Sequence, residues 1–244
     1  MNLRTVAATA LAALLSTQPA ASQEPRAVVE LFTSQGCSSC PAADRLLSEL
    51  AGDPSLVALS LNVDYWDYLG WKDTLALKGH SNRERAYANA RGDREVYTPQ
   101  VVVNGVTAVL GSDKAAIEKA IVKTRRDAAA LALPVTVKIE GDRLTASVPE
   151  GKGERKSGEV WLCPVTAKAI VEITRGENRG KTIAYHNVVR SWVKLGDWNG
   201  TAQTFSAPLK EVARDDTDSF AILVQSGDTA KPGVVLGAAM IPAR

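Results

Sequence analysis

The chain has 244 residues, a formal net charge of +2, 45% hydrophobic residues and 23% charged residues. This composition is typical of a globular protein with its own core, and only 3 cysteines exclude a disulfide scaffold. Nucleic acid is not an expected partner, because phosphate binding needs a concentrated basic surface.

The N-terminus has the layout of a signal peptide. Arg4 provides a positive charge before the apolar stretch 6–15, and small residues follow at 19–22. The apolar stretch is shorter than the about 20 residues that cross a bilayer. We therefore expect residues 1–22 to be removed on export, leaving a periplasmic or secreted protein without a membrane span. A retained membrane anchor or a disordered tail is the alternative.

Strand and helix patterns alternate through residues 26–132. Two β-prone apolar stretches, 27–33 and 56–63, flank a helical repeat of alanine and leucine. A helix that connects two strands in this way makes them parallel. Residues 64–94 form a polar and aromatic insertion that includes a predicted helix at 83–91.

A hairpin and a helix complete this half. Asn104-Gly105 between two β-branched runs is the strongest short signal for a β-hairpin. Ser112 can cap the helix that follows. The predicted order is therefore β-α-β-α-β-β-α.

Residues 133–244 show short strands at regular spacing, separated by turn signals. This pattern is typical of an antiparallel β-sandwich. The predicted strands lie at 135–140, 144–148, 159–165, 169–174, 182–195, 203–205, 220–225 and 234–241.

Cys37 and Cys40 form a C-x-x-C motif between a predicted strand and a predicted helix. Unpaired N–H groups and the partial positive charge at a helix N-terminus stabilise a thiolate. We expect Cys37 to be the exposed nucleophile and Cys40 the buried resolving thiol. This context favours redox chemistry over a static disulfide or half of a metal site. Metal ligands are scarce, since His80 and His186 are the only histidines.

Thr98-Pro99 stands directly before a predicted strand. In thioredoxin-like folds a cis-proline at this place lies against the cysteine pair and leaves the preceding backbone free to pair with substrate. Cis bonds are essentially confined to X–Pro, so this bond is the best candidate. An ordinary trans proline that begins a strand is the alternative.

Glu30 lies on the same face of its predicted strand as Val28 and Phe32. A buried carboxylate is costly without a role or a partner. Glu30 is therefore either a proton relay for Cys40 or a glutamate that is paired or exposed at the rim.

Aromatic residues follow the second predicted strand. Tyr65, Trp66 and Trp71, together with Tyr97, could wall a substrate groove, because ligands gather at the C-terminal ends of such strands. Packing of the loop is the alternative. Cys163 alternates with hydrophobic residues on a strand, which favours a buried thiol over a reactive or pairing one.

Several motifs together resemble the secreted bacterial domain-of-unknown-function family 1223. They are the stretches 30–44, 64–73 and 97–100 and the dipeptide Asn104-Gly105. The resemblance covers almost the whole mature chain and implies export and a thioredoxin-like fold, but it supplies no substrate. The Thr-Pro-x-Val-x-Val-Asn-Gly pattern also resembles glutaredoxins.

The expected fold is an α/β thioredoxin-like N-terminal domain at 26–132 plus an all-β sandwich-like C-terminal domain at 133–244. The expected function is an exported thiol–disulfide oxidoreductase that needs no cofactor and acts on a protein or a small thiol or disulfide. The alternative is a non-enzymatic binding protein with a structural disulfide or a Cu(I) site at the same cysteines. The sequence does not predict an oligomeric state.

Overall fold

The computed structural model describes residues 24–93, 95–152 and 157–243, so the predicted signal peptide lies outside the described residues. No helix in these ranges is long and apolar enough to span a bilayer. The elements in chain order are β1 (Ala27–Thr33), α1 (Cys40–Ala51), β2 (Leu56–Asn62), a 3₁₀ turn (Asp67–Leu69), α2 (Lys78–Arg91), β3 (Gln100–Val103), β4 (Thr107–Leu110), α3 (Lys114–Thr124), β5 (Thr136–Glu140), β6 (Arg143–Val148), β7 (Gly158–Glu172), β8 (Thr182–Val189), β9 (Val193–Trp198), β10 (Gln203–Pro208), α4 (Leu209–Val212), β11 (Ser219–Gly227) and β12 (Pro232–Pro242).

A 9-stranded mixed sheet joins the two halves of the chain. Its order is β12-β11-β7-β8-β2-β1-β3-β4, and β9 also pairs with β7. β1 and β2 are parallel, as the sequence predicts. The junction lies at β2, where Ser60 pairs with Val188 of β8. The expected fold class, a thioredoxin-like α/β domain plus a separate β-sandwich, is therefore wrong.

The joining of the two halves in one sheet has a physical cause. Every residue of β2 is buried, so its outer edge cannot be left open to solvent. β8 covers that edge, and β7, β11 and β12 continue the sheet from there. Residue patterns predict strands but do not reveal which distant strand pairs with a given edge. The domain boundary between residues 132 and 133 stays a prediction.

Helices and a small second sheet cover the large one. α1 and α3 pack on the face of β1 that carries Val29 and Leu31, while Val28 and Phe32 lie in the cluster that includes Tyr87 of α2. The 3-stranded sheet β10-β6-β5 covers the apolar residues of β7, β11 and β12. β1 is therefore buried on both faces, directly before the segment that carries the two cysteines.

The β3–β4 hairpin at Asn104-Gly105 is confirmed. Both residues have positive φ, 48° and 77°, and the flanking strands pair antiparallel. The Asn104 side chain accepts a hydrogen bond from the Val28 backbone N–H at 2.8 Å. The predicted cap of the next helix is wrong by one residue, because Asp113 rather than Ser112 accepts the hydrogen bond from Ala116 N–H. α2 begins before the predicted 83–91.

Candidate functional site

Cys37 and Cys40 form a disulfide where the chain turns from β1 into α1. The backbone N–H of Cys40 donates to the Cys37 carbonyl at 3.2 Å, and Pro41 occupies the first helical turn, where a missing N–H is tolerated. Gly36 is needed for close approach, since a Cβ there would lie 3.0 Å from Trp66 Cβ. The disulfide therefore lies at the positive end of α1.

Both cysteines are buried in this oxidised state. Cys40 is fully buried, as the sequence predicts, but Cys37 is also only 2% exposed. The expectation of an exposed Cys37 is therefore wrong for the disulfide form. Ser38 and Ser39, which separate the two cysteines, are exposed, and Ser39 Oγ lies 3.4 Å from Cys37 Sγ. Neighbouring segments cover Cys37, while the outer edge of the motif faces solvent.

Pro99 lies beside the first turns of α1, and its bond to Thr98 is cis, as predicted. β3 pairs antiparallel with β1, so that Gln100 is opposite Phe32 near the end of β1. A Cβ placed on Gly111 would lie 3.1 Å from Pro99 Cβ and 3.3 Å from Ala43 Cβ. Pro99 therefore lies close to α1, the helix that begins at Cys40.

Trp66 connects the cysteine turn to Thr98. Its Cβ adjoins Gly36, and its indole N–H donates to Thr98 Oγ1 at 2.8 Å. Its ring stacks on that of Tyr68, which is exposed, with a centroid distance of 6.4 Å. Trp66 and Tyr68 therefore give the neighbourhood of the disulfide an aromatic surface.

The three other residues that were predicted to wall a groove, Tyr65, Tyr97 and Trp71, have different surroundings. Tyr65 packs 6.1 Å from Trp66 by ring centroids, and its hydroxyl donates to Glu84 at 3.4 Å. Tyr97 is exposed and precedes Thr98 directly. Trp71 donates its indole N–H to Gln35 Oε1 at 2.8 Å, so it supports the cysteine turn from behind.

A buried network holds the turn that leads into Cys37. The Gln35 backbone N–H donates to Asp73 at 2.7 Å, and Asn62 donates to the same carboxylate oxygen at 3.0 Å. The Gln35 amide also donates to Thr74 at 3.1 Å. Burial raises the pKa of Asp73, and these hydrogen bonds oppose the rise. The turn is therefore positioned by residues of the 64–94 insertion and of β2.

Glu30, the predicted proton relay, belongs to a different network. Its carboxylate accepts hydrogen bonds from Arg83 Nε and from the Tyr87 hydroxyl, each at 2.6 Å. Arg83 also donates to Gln225 at 2.8 Å, and its guanidinium lies 4.2 Å from the centroid of the Trp192 ring. These contacts fit the alternative of a paired glutamate.

Cys163 lies next to the Glu30–Arg83 pair. It is fully buried and free, and burial raises the pKa of its thiol, which the nearby Arg83 lowers only in part. This environment fits a small buried side chain in the core.

Asp44 is a buried acid that the sequence analysis missed. It lies one helical turn after Cys40, on the side of α1 that packs against the sheet. Thr33 Oγ1 donates to one carboxylate oxygen at 2.7 Å, while Oδ2 has no hydrogen-bond partner in the described part of the chain. Burial raises the pKa of Asp44 to about 7, against the effect of Thr33.

Tyr185 on β8 shares this environment. Its hydroxyl is buried without a partner among the described residues, and burial followed by the charges of Asp44 and Asp73 raises its pKa. A signal for Asp44 was present in the sequence, because a charged residue stands between Ala43 and Leu46 on the apolar face of a helix.

The comparisons with known proteins agree with the resemblance in the motifs. The model of a family described as "protein of unknown function (DUF1223)" matches residues 28–225. The chain belongs to this family.

A crystal structure of another protein, from Agrobacterium tumefaciens, is similar to this DUF1223 chain. It shares 32% identity and superposes with a TM-score of 0.81, covering 91% of this chain and 96% of the other. No curated protein matches the sequence significantly.

Within the described ranges, no group of three or more histidine, cysteine or acidic residues is arranged to hold a metal ion. This DUF1223 site thus consists of a disulfide at a helix N-terminus, a cis-proline close to the same helix and an aromatic surface beside the cysteine turn. One turn after Cys40 it also has a buried acid with an oxygen that lacks a partner among the described residues.

Proposed function

We propose that this DUF1223 protein exchanges disulfides through Cys37 and Cys40, with a protein or a small thiol or disulfide as substrate, after export to the periplasm or the exterior. The observation that carries the proposal is the position of the disulfide. Its two sulfurs stand at the N-terminus of α1, where the helix end favours a thiolate.

In the reducing direction the thiolate of Cys37 attacks one sulfur of a substrate disulfide. The substrate S–S bond breaks, its second sulfur leaves as a thiolate, and a mixed disulfide forms. The thiol of Cys40 then loses its proton and attacks Cys37 Sγ, which releases the first substrate sulfur as a thiolate and regenerates the Cys37–Cys40 disulfide. The substrate gains two electrons, which the protein loses. In the oxidising direction the same steps run backwards.

We assign to Asp44 the role of accepting the proton that the Cys40 thiol loses. The two residues are four positions apart on α1, which places their side chains on the same face. Oδ2 of Asp44 has no partner in the described structure and so has a lone pair free to accept a proton. With a pKa of about 7, Asp44 can both take up and release a proton near neutral pH. Glu30 lacks this freedom, because Arg83 and Tyr87 occupy its oxygens.

A static disulfide is the second candidate, and the 2% exposure of Cys37 favours it. A sulfur that no thiol can reach takes no part in exchange. In this case the cysteines would only join β1 to α1, and the protein would act by binding. Titration of the reduced protein with Cu(I) tests whether such binding includes a soft metal.

Three cysteine variants test the proposal. Cys37→Ser is expected to abolish exchange, whereas Cys40→Ser should accumulate a mixed disulfide that mass spectrometry identifies. Cys163→Ser is the matched control and should retain exchange, because Cys163 is buried in the core beside Arg83 and Glu30. Wild-type protein that fails to exchange with any thiol or disulfide tested, while remaining folded, would favour the static disulfide.

A further inference from the structure

The connection between β7 and β8, residues 173–181, packs on the cysteine turn from the C-terminal half of the chain. The side-chain amide of Asn178 donates to the backbone carbonyl of Gln35 at 2.9 Å and to that of Cys37 at 2.8 Å. Asn178 is fully buried. Both hydrogens of a single amide thus hold the two carbonyls that flank Gly36, directly before the motif.

The same connection also covers the segment behind the turn. A Cβ placed on Gly176 would lie 3.2 Å from Trp71 Cβ and 3.6 Å from the carbonyl oxygen of Leu69. Trp71 in turn donates its indole N–H to Gln35 Oε1. The β7–β8 connection therefore lies over the cysteine turn and over the residues that support it.

The connection has its own internal hydrogen bonds. Gly180 N–H donates to the Ile173 carbonyl at 2.7 Å, and Ile173 N–H donates to the Lys181 carbonyl at 2.9 Å. The Lys181 ammonium donates to Asn178 Oδ1 at 2.9 Å, which fixes the orientation of the amide. These bonds lie within the connection, so loss of the contacts between Asn178 and the cysteine turn would not by itself break them.

Asn178 holds the backbone of Cys37 itself, the residue whose side chain is buried in the oxidised protein. Ser38 and Ser39 are exposed, yet Cys37 is 2% exposed, so a second sulfur cannot approach it until neighbouring atoms move. The attacking sulfur must also lie in line with the bond that breaks, which requires open space beside Cys37 Sγ.

We propose that Asn178 is a positioning residue that keeps Cys37 covered, and that release of the β7–β8 connection exposes Cys37 to its substrate. This inference rests on the proposed exchange function only where it speaks of a substrate. The covering of Cys37 would limit the access of any reagent to its sulfur.

The test measures how fast a small phosphine, tris(2-carboxyethyl)phosphine, reduces the disulfide of the oxidised, folded protein. Asn178→Ala is expected to react about tenfold faster, since two hydrogen bonds that oppose opening are lost. Lys181→Gln should give a smaller increase of about two- to threefold, because only the support of the amide weakens. Lys181 is exposed, so this second variant keeps the test valid if Asn178→Ala does not fold.

The equilibrium with glutathione separates covering from simple stabilisation of the oxidised form. A cover that is present in both redox states changes rates in both directions equally, so the equilibrium constant of Asn178→Ala should stay within about twofold of wild type. Asn187→Gly is the matched control. It removes another amide that donates to a backbone carbonyl, that of Ala58 at 3.0 Å, and glycine tolerates the positive φ of 48°. Its reduction rate should not change.

Two results would overturn the inference. One is a reduction rate for Asn178→Ala within twofold of wild type. The other is an equilibrium constant that shifts by as much as the rate. Failure of the exchange function is distinguishable, because Asn178→Ala would then be reduced faster by the phosphine while no thiol or disulfide substrate reacts with either protein.

Discussion

Glu30 of β1 and Asp44 of α1 are two buried carboxyl groups that lie on opposite sides of the sheet, and they differ in their hydrogen-bond partners. Glu30 accepts hydrogen bonds from Arg83 and Tyr87, whereas Asp44 receives one from Thr33 and has an oxygen without a partner in the described structure. Burial of a carboxylate costs free energy that pairing offsets. Burial alone therefore does not identify a proton relay. For the proposed exchange, the group suited to moving a proton is Asp44, which has unfilled hydrogen-bonding capacity within the described structure and lies four positions after Cys40 on α1.

The pairing of Glu30 predicts the largest effect. Glu30→Gln leaves the guanidinium of Arg83 buried without its counter-charge and should reduce the free energy of unfolding by about 3–5 kcal/mol. Urea denaturation measures this change. Glu118→Gln is the control, since Glu118 pairs with Arg26 at a partly exposed site and its loss should cost less than about 1 kcal/mol. If Glu30→Gln loses as little unfolding free energy as Glu118→Gln, the buried Glu30–Arg83 pair stabilises the fold no more than the partly exposed Glu118–Arg26 pair.

Asp44 should make stability depend on pH. Its pKa is raised from 3.8 to about 7, so between these values the folded state binds a proton that the unfolded state has lost. The unfolded state binds fewer protons, and the free energy of unfolding therefore falls as pH rises through this window. The effect of about three pKa units is on the order of 4 kcal/mol.

Asp44→Asn should remove this dependence. The variant should therefore gain stability relative to wild type between about pH 4 and pH 7. The measurement is the difference in unfolding free energy between the two proteins across the pH range. A constant difference would show that Asp44 titrates as an ordinary exposed aspartate.

Exchange kinetics test whether Asp44 accepts the proton of Cys40. Asp44→Asn cannot accept the proton of Cys40, and we expect the release of substrate from the mixed disulfide to slow on the order of 100-fold at neutral pH. Stopped-flow measurement of that step, with Tyr185→Phe as a control in the same buried environment, checks it. An equal slowing in both variants would indicate disturbed packing instead of a lost proton acceptor.

Cys163 should show the smallest effect. It lies beside the fully paired Glu30 network, and burial raises the pKa of its thiol. Cys163→Ala should cost about 1 kcal/mol of stability and leave exchange unchanged. In the reduced native protein, alkylation should reach Cys163 only after unfolding. Rapid alkylation of Cys163 in the native state would contradict its assignment to the core.

The local signals in the sequence were reliable where the chemistry is local. The C-x-x-C motif, the cis bond before Pro99 and the turn at Asn104-Gly105 each depend on a few consecutive residues, and the structure shows the disulfide, the cis bond and the hairpin. The family was likewise identifiable from short motifs.

Contacts between distant segments were not predictable from one sequence. β8 joins β2 by parallel pairing across more than a hundred positions, and Asn178 reaches Gln35 and Cys37 from the other half of the chain. Nothing in the residues around Asn178 marks it as different from an ordinary loop asparagine. The burial of Cys37 was missed for the same reason, since it depends on which segments lie over the turn.

The reduction potential of the Cys37–Cys40 pair decides whether the disulfide takes part in exchange. Equilibration of the folded protein in buffers of defined glutathione ratio, followed by alkylation and mass measurement, gives this value. A working exchange pair should have a potential well above about −300 mV, within reach of thiol buffers. A potential below about −300 mV would rule out the proposed exchange and identify the disulfide as a static link between β1 and α1.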